Sequence, residues 1–307
     1  MAGIGDDCAV LRIPAGHDTL VTTDFCLEGV HFRCEWDTPQ NIGHRCLTRG
    51  LSDIAAMGGE PVSAFLSLAL PAKAPQRWVD GFFEGLLNLA KQFRVPLAGG
   101  DTSQSPDSIL VDIIVVGSVP KGKAILRSGA RPGDRLYVTG ELGGAAAELD
   151  ALYSTRNGKN SRRTFPLPQP RINVGRILRE RGIATAMIDV SDGLSADLSH
   201  ICEESAGAEV RADSIPRAQF RKRPVDLRFA LHGGDAYELL FTARKRTRVP
   251  ASIGGVKITR IGEITRNNRV QLLHPDGSSE ILRPQGWEYF PVTDTEIGDI
   301  NSLAITK

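Results

Sequence analysis

Short apolar segments of strand length alternate with longer amphipathic ones up to about residue 116, and the alternation restarts beyond residue 133. A hydrophobic period of two giving way to one of 3.6 is what strands covered by helices require, so the pattern commits both halves to mixed α/β layers. In the first half, strands are expected over residues 20–24, 61–70, 95–98 and 109–116. A helix should begin at Thr38-Pro39, where a capping hydroxyl precedes proline at the first helical position. Ile42, Cys46, Leu47, Leu51 and Ile54 form its apolar face, and Gly58-Gly59 closes it. A second helix over 76–94 carries Trp78, Phe82, Leu86, Leu89 and Phe93 at helical spacing. The Gly/Pro-rich stretch 128–133 marks a domain boundary, dividing the chain into 1–130 and 131–307. Beyond it the expected order is strand 135–139, helix 144–153, a polar and basic mobile loop 154–163, helix 171–181, strand 184–189 and helix 194–206. A mixture of strands and turns completes the chain. The fold class is α/β (α+β), in two mixed domains.

Composition removes several functions from consideration. A net charge of +1 gives no field to draw in nucleic acid or an anionic membrane. The longest apolar runs, 62–70 and 109–116, are far too short to cross a bilayer. No basic segment followed by an apolar one opens the chain, which points away from export. The five cysteines are odd in number and lack CxxC spacing, which argues against a disulfide framework or zinc site and for a reducing cytoplasm.

The 32 glycines cluster beside aspartates rather than in low-complexity runs. Gly5–Asp7, Gly99–Asp101 and Gly233–Asp235 each place an acid after glycine. Asp6, Asp7, Asp24, Asp53, Asp101, Asp189 and Asp192 fall at expected strand ends or turns, or on the facing helix. α/β proteins gather functional groups at such strand ends and loops. Taken singly, each acid reads more readily as a turn-builder or helix cap than as a ligand. As a set, with few histidine or thiolate alternatives, they make a pocket of hard oxygen ligands that prefers magnesium to zinc or copper. Clustered carboxylates repel unless cations neutralise them, so metal ions bridging them to a polyphosphate are the economical inference. The segment Gly117-Ser-Val-Pro-Lys-Gly-Lys-Ala124 nearly matches a P-loop but fails where Ala124 replaces the metal-binding hydroxyl. No helix is expected after it, and Pro120 removes an N–H that could cradle phosphate.

Taken in order, several pieces of the chain resemble the thiamine-monophosphate kinase family. They are Gly3-Ile-Gly5-Asp-Asp-Cys-Ala-Val10, Thr22-Thr-Asp24 with Glu28-Gly-Val-His-Phe32, Leu51-Ser-Asp-Ile-Ala-Ala-Met-Gly58 and Gly99-Gly-Asp-Thr102. Arg127-Ser-Gly-Ala-Arg-Pro-Gly-Asp134, Ile188-Asp-Val-Ser-Asp-Gly193 and Gly233-Gly-Asp-Ala-Tyr-Glu-Leu239 complete the series. The wider superfamily includes aminoimidazole ribonucleotide synthetase, selenophosphate synthetase and a hydrogenase-maturation protein. The resemblance implies a homodimer whose N-terminal sheets pair into a barrel-like core, with nucleotide bound nearby. It implies magnesium-dependent transfer of the ATP γ-phosphate to thiamine monophosphate. By the same correspondence Asp7, Thr22, Thr23, Asp24, Asp53, Asp101, Asp189 and Asp192 would be metal ligands, and Gly100, Asp101, Arg127 and Ser191 would meet ATP. His31, Asp235 and Trp287 would contact the acceptor, Trp287 by a cation–π contact with the thiazolium and Asp235 as counter-charge or hydrogen-bond acceptor.

The chain departs from the family pattern in four places. Family members carry a further segment ahead of Gly3, Gly50 stands where asparagine is usual, and Asp235-Ala236 replaces Glu-Asp. Tyr289 stands where histidine is common. Two rival readings follow, another ATP-dependent superfamily member or a catalytically inactive ATP-binding dimerisation module. A selenophosphate-type reaction would need a reactive N-terminal cysteine, whereas Cys8 reads as a small packing residue.

Overall fold

A computed structural model of the chain describes residues 4–5, 7–154, 162–203 and 206–286. Part of the expected loop 154–163, as well as Asp6, Trp287 and Tyr289, lies outside the described residues. In chain order the elements are β1 (His17–Leu27), α1 (Pro39–Ala56), β2 (Glu60–Pro71), α2 (Gln76–Phe93), β3 (Leu97–Ser105) and β4 (Leu110–Pro120). A 3₁₀ turn at Arg127–Gly129 leads to β5 (Arg135–Thr139), α3 (Gly144–Ser154), α4 (Ile172–Glu180), β6 (Ala186–Val190), α5 (Leu194–Glu203) and β7 (Gly207–Arg211). β8 (Gln219–Phe220), β9 (Arg223–Pro224), α6 (Leu227–His232), β10 (Glu238–Ala243), β11 (Ser252–Ile253), β12 (Val256–Thr265), β13 (Val270–Leu273) and β14 (Ser279–Ile281) follow.

Among the described residues these form two mixed sheets and a small antiparallel β8/β9 pair. The first has the order β1-β4-β2-β3, antiparallel except for the parallel β2/β3 edge. The second runs β14-β13-β7-β12-β5-β10-β6, with β11 paired to β12. α1 starts as its sequence requires: the Thr38 hydroxyl accepts the Asn41 N–H at 3.2 Å and Pro39 opens the first turn. α1 and α2 approach closely because Gly43 and Gly85 carry no side chain. A Cβ at Gly85 would stand 1.9 Å from the Gln40 carbonyl oxygen, and one at Gly43 would stand 2.1 Å from that of Phe82. On β1 the residues alternate. Thr22, Asp24 and Cys26 point toward α1, while Val21, Thr23 and Phe25 face outward, with Val21 67% and Phe25 55% exposed.

One apolar core runs from the first sheet through α1 and α2 to Met187, Leu239 and Phe241 of the second sheet. A second core, built on Leu136, Val138, Leu198 and Leu240, fills the other side of that sheet. The two sheets are therefore joined by packed hydrophobic surface, with α4 set against α1 through Gly175.

Several segments differ from expectation. β1 continues three residues past Asp24, and β3 begins later and runs through Gly99-Gly100-Asp101-Thr102 instead of turning there. Thr22, Thr23 and Asp24 are strand residues as expected, while Asp101 is a strand residue rather than a turn residue. Cys8 is exposed and does not pack.

The near-P-loop is the last four residues of β4, Gly117–Pro120, followed by a reverse turn. Lys123 N–H donates to the Pro120 carbonyl at 2.9 Å, and Gly122 N–H donates to Asp18 Oδ2 at 2.7 Å, so these amides are already used. No helix follows before the 3₁₀ turn at Arg127. Lys123→Ala should accordingly leave ATP turnover within about threefold of the parent. A fall of about a thousandfold, worth about 4 kcal/mol of barrier, would make the turn a phosphate site after all.

Candidate active site

The site grows from the packing of α1 over β1. Asp24 and Thr22 project from β1 toward the helix, and Asp53 meets them there, accepting a hydrogen bond from the Thr22 hydroxyl. The neighbouring Ser52 hydroxyl donates to Asp189 Oδ2 at 2.6 Å, tying α1 to the end of β6. Three carboxylates from distant parts of the chain therefore share one buried region. Burial, and then the charge of Asp53, pushes Asp24 up to about 7. Asp189 is pushed up to about 7 by burial, then by the charges of Asp53 and Asp24. Asp53 is also raised, chiefly by burial, against the opposing pull of the Thr22 hydrogen bond and of Arg127. One oxygen of Asp24, Oδ2, is buried with no hydrogen-bond partner. Such an atom loses its hydration without recompense unless something cationic or protic meets it.

A cavity of about 390 Å³ opens beside this cluster, lined among others by His31, Arg49, Ser191, Asp192 and Asp235. Gly233, Gly234 and Asp235 also line it, and Asp235 and Tyr237 hold left-handed backbone angles (φ 60° and 52°). Non-glycine residues seldom sit there, and the conformation persists only where surrounding bonds over-determine it. Here the Asp235 N–H donates to the Ser191 carbonyl and the Tyr237 N–H to the Val190 carbonyl, both at 2.8 Å. The Tyr237 hydroxyl also donates to Asp235 Oδ1 at 3.0 Å, and Arg163 Nη1 lies 4.0 Å from Asp235 Oδ2. Asp235 thus already has a counter-charge from the protein, which leaves it better placed as a hydrogen-bond acceptor than as the partner of a ligand cation. His31 Nδ1 accepts the Leu27 N–H at 3.0 Å, and burial, aided by Arg49, pushes its pKa down to about 4. It is a neutral wall residue at pH 7.

Other expected site residues stand elsewhere. The register Asp24–Ile113–Leu66–Gly100 crosses all four strands of the first sheet. Three strand spacings of about 4.8 Å put Asp101, the residue after Gly100, roughly 14 Å from β1. Asp101 is exposed and accepts the Thr102 N–H at 2.8 Å. One chain does not bring it to Asp24 and Asp53, against the expectation that the three share cations. The Thr23 hydroxyl donates to Asp112 at 2.6 Å on the outer face. Asp7 is exposed ahead of β1, and no hydrogen bond or ion pair among the described residues ties it to the cluster. The exposed Arg127 sits in its 3₁₀ turn, near enough to lower both Asp53 and Asp192. Gly100 has φ 154°, and a Cβ there would meet the Leu66 carbonyl oxygen at 1.9 Å.

Sequence reasoning missed Arg49, Tyr237 and Asp197. Arg49 precedes Asp53 by one helical turn, a spacing readable in advance. Asp197 accepts the N–H groups of Asp192 (3.2 Å) and Gly193 (3.0 Å), fixing the turn that carries Asp192. Burial and the charges of Asp189 and Asp192 push Asp197 up to about 8. Among the described residues no three acidic, imidazole or thiol groups stand in the tight arrangement of a finished metal centre.

Comparison with known proteins assigns this architecture to a class. Residues 5–119 match the N-terminal domain of AIR synthase related proteins, and residues 131–274 match the C-terminal domain of the same proteins. The chain is 38% identical to the thiamine-monophosphate kinase of Salmonella typhimurium, over 94% of this chain and 91% of that protein. It superposes on a crystal structure of thiamine-monophosphate kinase from Stenotrophomonas maltophilia with a TM-score of 0.79 at 36% identity, covering 91% and 92% of the two chains. A solved structure of AaThiL complexed with AMPPCP and TMP gives a TM-score of 0.76 at 28% identity, covering 94% and 92%. Within the AIR synthase related class, the chain belongs to the thiamine-monophosphate kinase family.

Proposed function

We propose that this chain transfers the γ-phosphate of ATP to thiamine monophosphate, giving thiamine diphosphate, with Mg²⁺ as the required cation. The observation that carries this reading is that Arg49, 3.7 Å from Asp24 in the cluster with Asp53 and Asp189, also lines the 390 Å³ cavity beside His31, Asp192 and Asp235. A charged-phosphate site and an organic-ligand site thus adjoin at this residue. A phosphate monoester is already an anion at neutral pH, its second pKa being about 6. No general base is needed, in keeping with a neutral His31. Catalysis then consists of alignment and charge neutralisation.

The donor set fits magnesium, since it is all oxygen and includes the orphaned buried Oδ2 of Asp24. Asp24, Asp53 and Asp189 would hold the cation, with Thr22 and Asp192 nearby, and bound magnesium would neutralise phosphate charge. Magnesium usually takes only one or two carboxylates and completes its shell with water and phosphate, so not all three acids need bind one ion directly. Arg127 and Ser191 are assigned to the nucleotide with Gly100. Gly100 and Asp101 lie on β3, the edge strand farthest from β1, so in this reading a second copy of the chain would bring them to a cluster. The exposed Val21 and Phe25 on the outer face support a homodimer closed through this sheet, and residues 1–130 and 131–307 are taken as its two domains. Free cysteines suit a cytoplasmic setting.

Incubation with ATP, Mg²⁺ and thiamine monophosphate, followed by chromatography, should yield thiamine diphosphate, and EDTA should abolish it. ATP turnover that yields no thiamine diphosphate would favour another superfamily reaction. No turnover of any kind would favour an inactive binding module.

A further inference from the structure

Arg49 and Asp53 are four residues apart on α1 and share one helix face. Asp53 joins the acid cluster, while Arg49 enters the cavity wall beside His31, Ser191, Asp192 and Asp235. The guanidinium therefore stands at the junction of the two sites. Its Nε lies 3.7 Å from Asp24 Oδ1, and its Nη1 donates to the Tyr237 hydroxyl at 3.3 Å. Neither contact is the short two-pronged pairing that engages a guanidinium fully. Nε is buried without a hydrogen bond, and the side chain is 14% exposed.

The other two arginines lining this cavity face partners away from Asp24. Arg163 lies 3.2 Å from the buried Asp37 and 4.0 Å from Asp235. Arg33 stacks over the rings of Trp36 and Tyr153, at 5.1 and 5.9 Å. A dianionic group moving from the cavity toward Asp24 would meet Asp192 and Asp24 as like charges unless a cation stood between them.

We propose that Arg49 is a specificity-determining residue that grips the phosphate of the acceptor at this junction, so that the cleft selects a phosphorylated acceptor over the free alcohol. The assignment rests on the transfer reaction proposed above. A guanidinium presents five donors in a planar fork matched to phosphate oxygens, which a lysine ammonium cannot reproduce. Tyr237, held in its left-handed conformation, braces the fork from behind.

The test is calorimetric binding of thiamine monophosphate, thiamine and a non-hydrolysable ATP analogue, in the presence of Mg²⁺, to the parent, Arg49→Gln and Arg49→Lys. The parent should bind thiamine monophosphate more tightly than thiamine. Arg49→Gln should lose about 10–100-fold in affinity for the monophosphate, the range of a charge-assisted hydrogen bond. Its affinity for thiamine and for the nucleotide analogue should stay within about twofold of the parent, because neither uses this fork. Arg49→Lys should recover only part of the loss. Equal weakening toward thiamine and its monophosphate, or a lowered Tm alone, would make Arg49 a wall brace and overturn the assignment. Loss confined to the nucleotide analogue would move Arg49 to the other substrate, and so would also overturn it. If the parent makes thiamine diphosphate and Arg49→Gln still binds the monophosphate normally, only the Arg49 assignment falls. A parent that binds neither thiamine compound would remove the transfer reading and this assignment together.

Discussion

Asp24→Asn should lower phosphoryl transfer by about a thousandfold or more, equivalent to about 4 kcal/mol of barrier, while leaving the fold intact. Asp24 neighbours both Asp53 and Arg49, and its Oδ2 has no hydrogen-bond partner among the described residues. Removing its charge deletes a cation ligand and at the same time relieves repulsion in the metal-free protein. The pH dependence follows from the same carboxylate. Its folded pKa of about 7 lies above the ordinary 3.8, so between about pH 4 and 7 the native state binds more protons than the unfolded chain. Stability of the metal-free protein should therefore decline as pH rises through that window, with the full cost present above about pH 7. Asp189, also pushed up to about 7, acts in the same direction. Thermal melts in EDTA should show Tm falling between pH 5 and 8. Mg²⁺ should restore much of the loss at pH 8 and little at pH 5, and Asp24→Asn should flatten the profile. Full activity of Asp24→Asn with unchanged magnesium dependence would remove Asp24 from the site, whereas an unfolded variant would make it a structural residue.

Gly100→Ala is expected to have the second largest effect. A Cβ would stand 1.9 Å from the backbone oxygen of Leu66, which cannot rotate away as a side chain could. The backbone angle of 154° adds strain for any residue with a side chain. β3 would have to leave β2 locally, at a cost of about 1–3 kcal/mol and with Asp101 displaced. Both Tm and nucleotide affinity should fall. If Tm is unchanged while nucleotide affinity drops, the glycine is needed for close approach of ligand and not for strand pairing.

Much of the fold could be read locally. The start of α1 is set by Thr38 and Pro39 alone, and its end by Gly58 at φ 67°. Trp78, Phe82, Leu86 and Leu89 declare the buried face of α2 through their spacing, and β5 falls on the expected residues Arg135–Thr139. Where tertiary pairing overrides composition, local reading failed. Gly99-Gly100-Asp101 looks like a turn, yet parallel pairing with β2 carries it on as strand. The acids were recognisable as a set, but which of them meet depends on α1 lying over β1 and on a Ser52–Asp189 bond spanning 137 residues. No local pattern contains that information. Arg49 was overlooked because the helical spacing was used to find the apolar face, although the same arithmetic pairs it with Asp53.

The placement of β1 bears on how the protein is born. Among the described residues β1 pairs with β4 alone, so residues 17–27 have no strand partner there until residues 110–120 have been synthesised. At about 5–20 residues per second, that leaves an unsatisfied edge on the ribosome for on the order of 10 s. Asp189 arrives later still, so no emerging fragment holds the full cluster of acids. A half-made chain lacks Asp189 and the cavity residues Ser191, Asp192 and Asp235, so ligands should stabilise the protein fully only after its second sheet has docked. Pulse-labelled nascent chains should thus gain full protease resistance from ATP and Mg²⁺ only once released at full length.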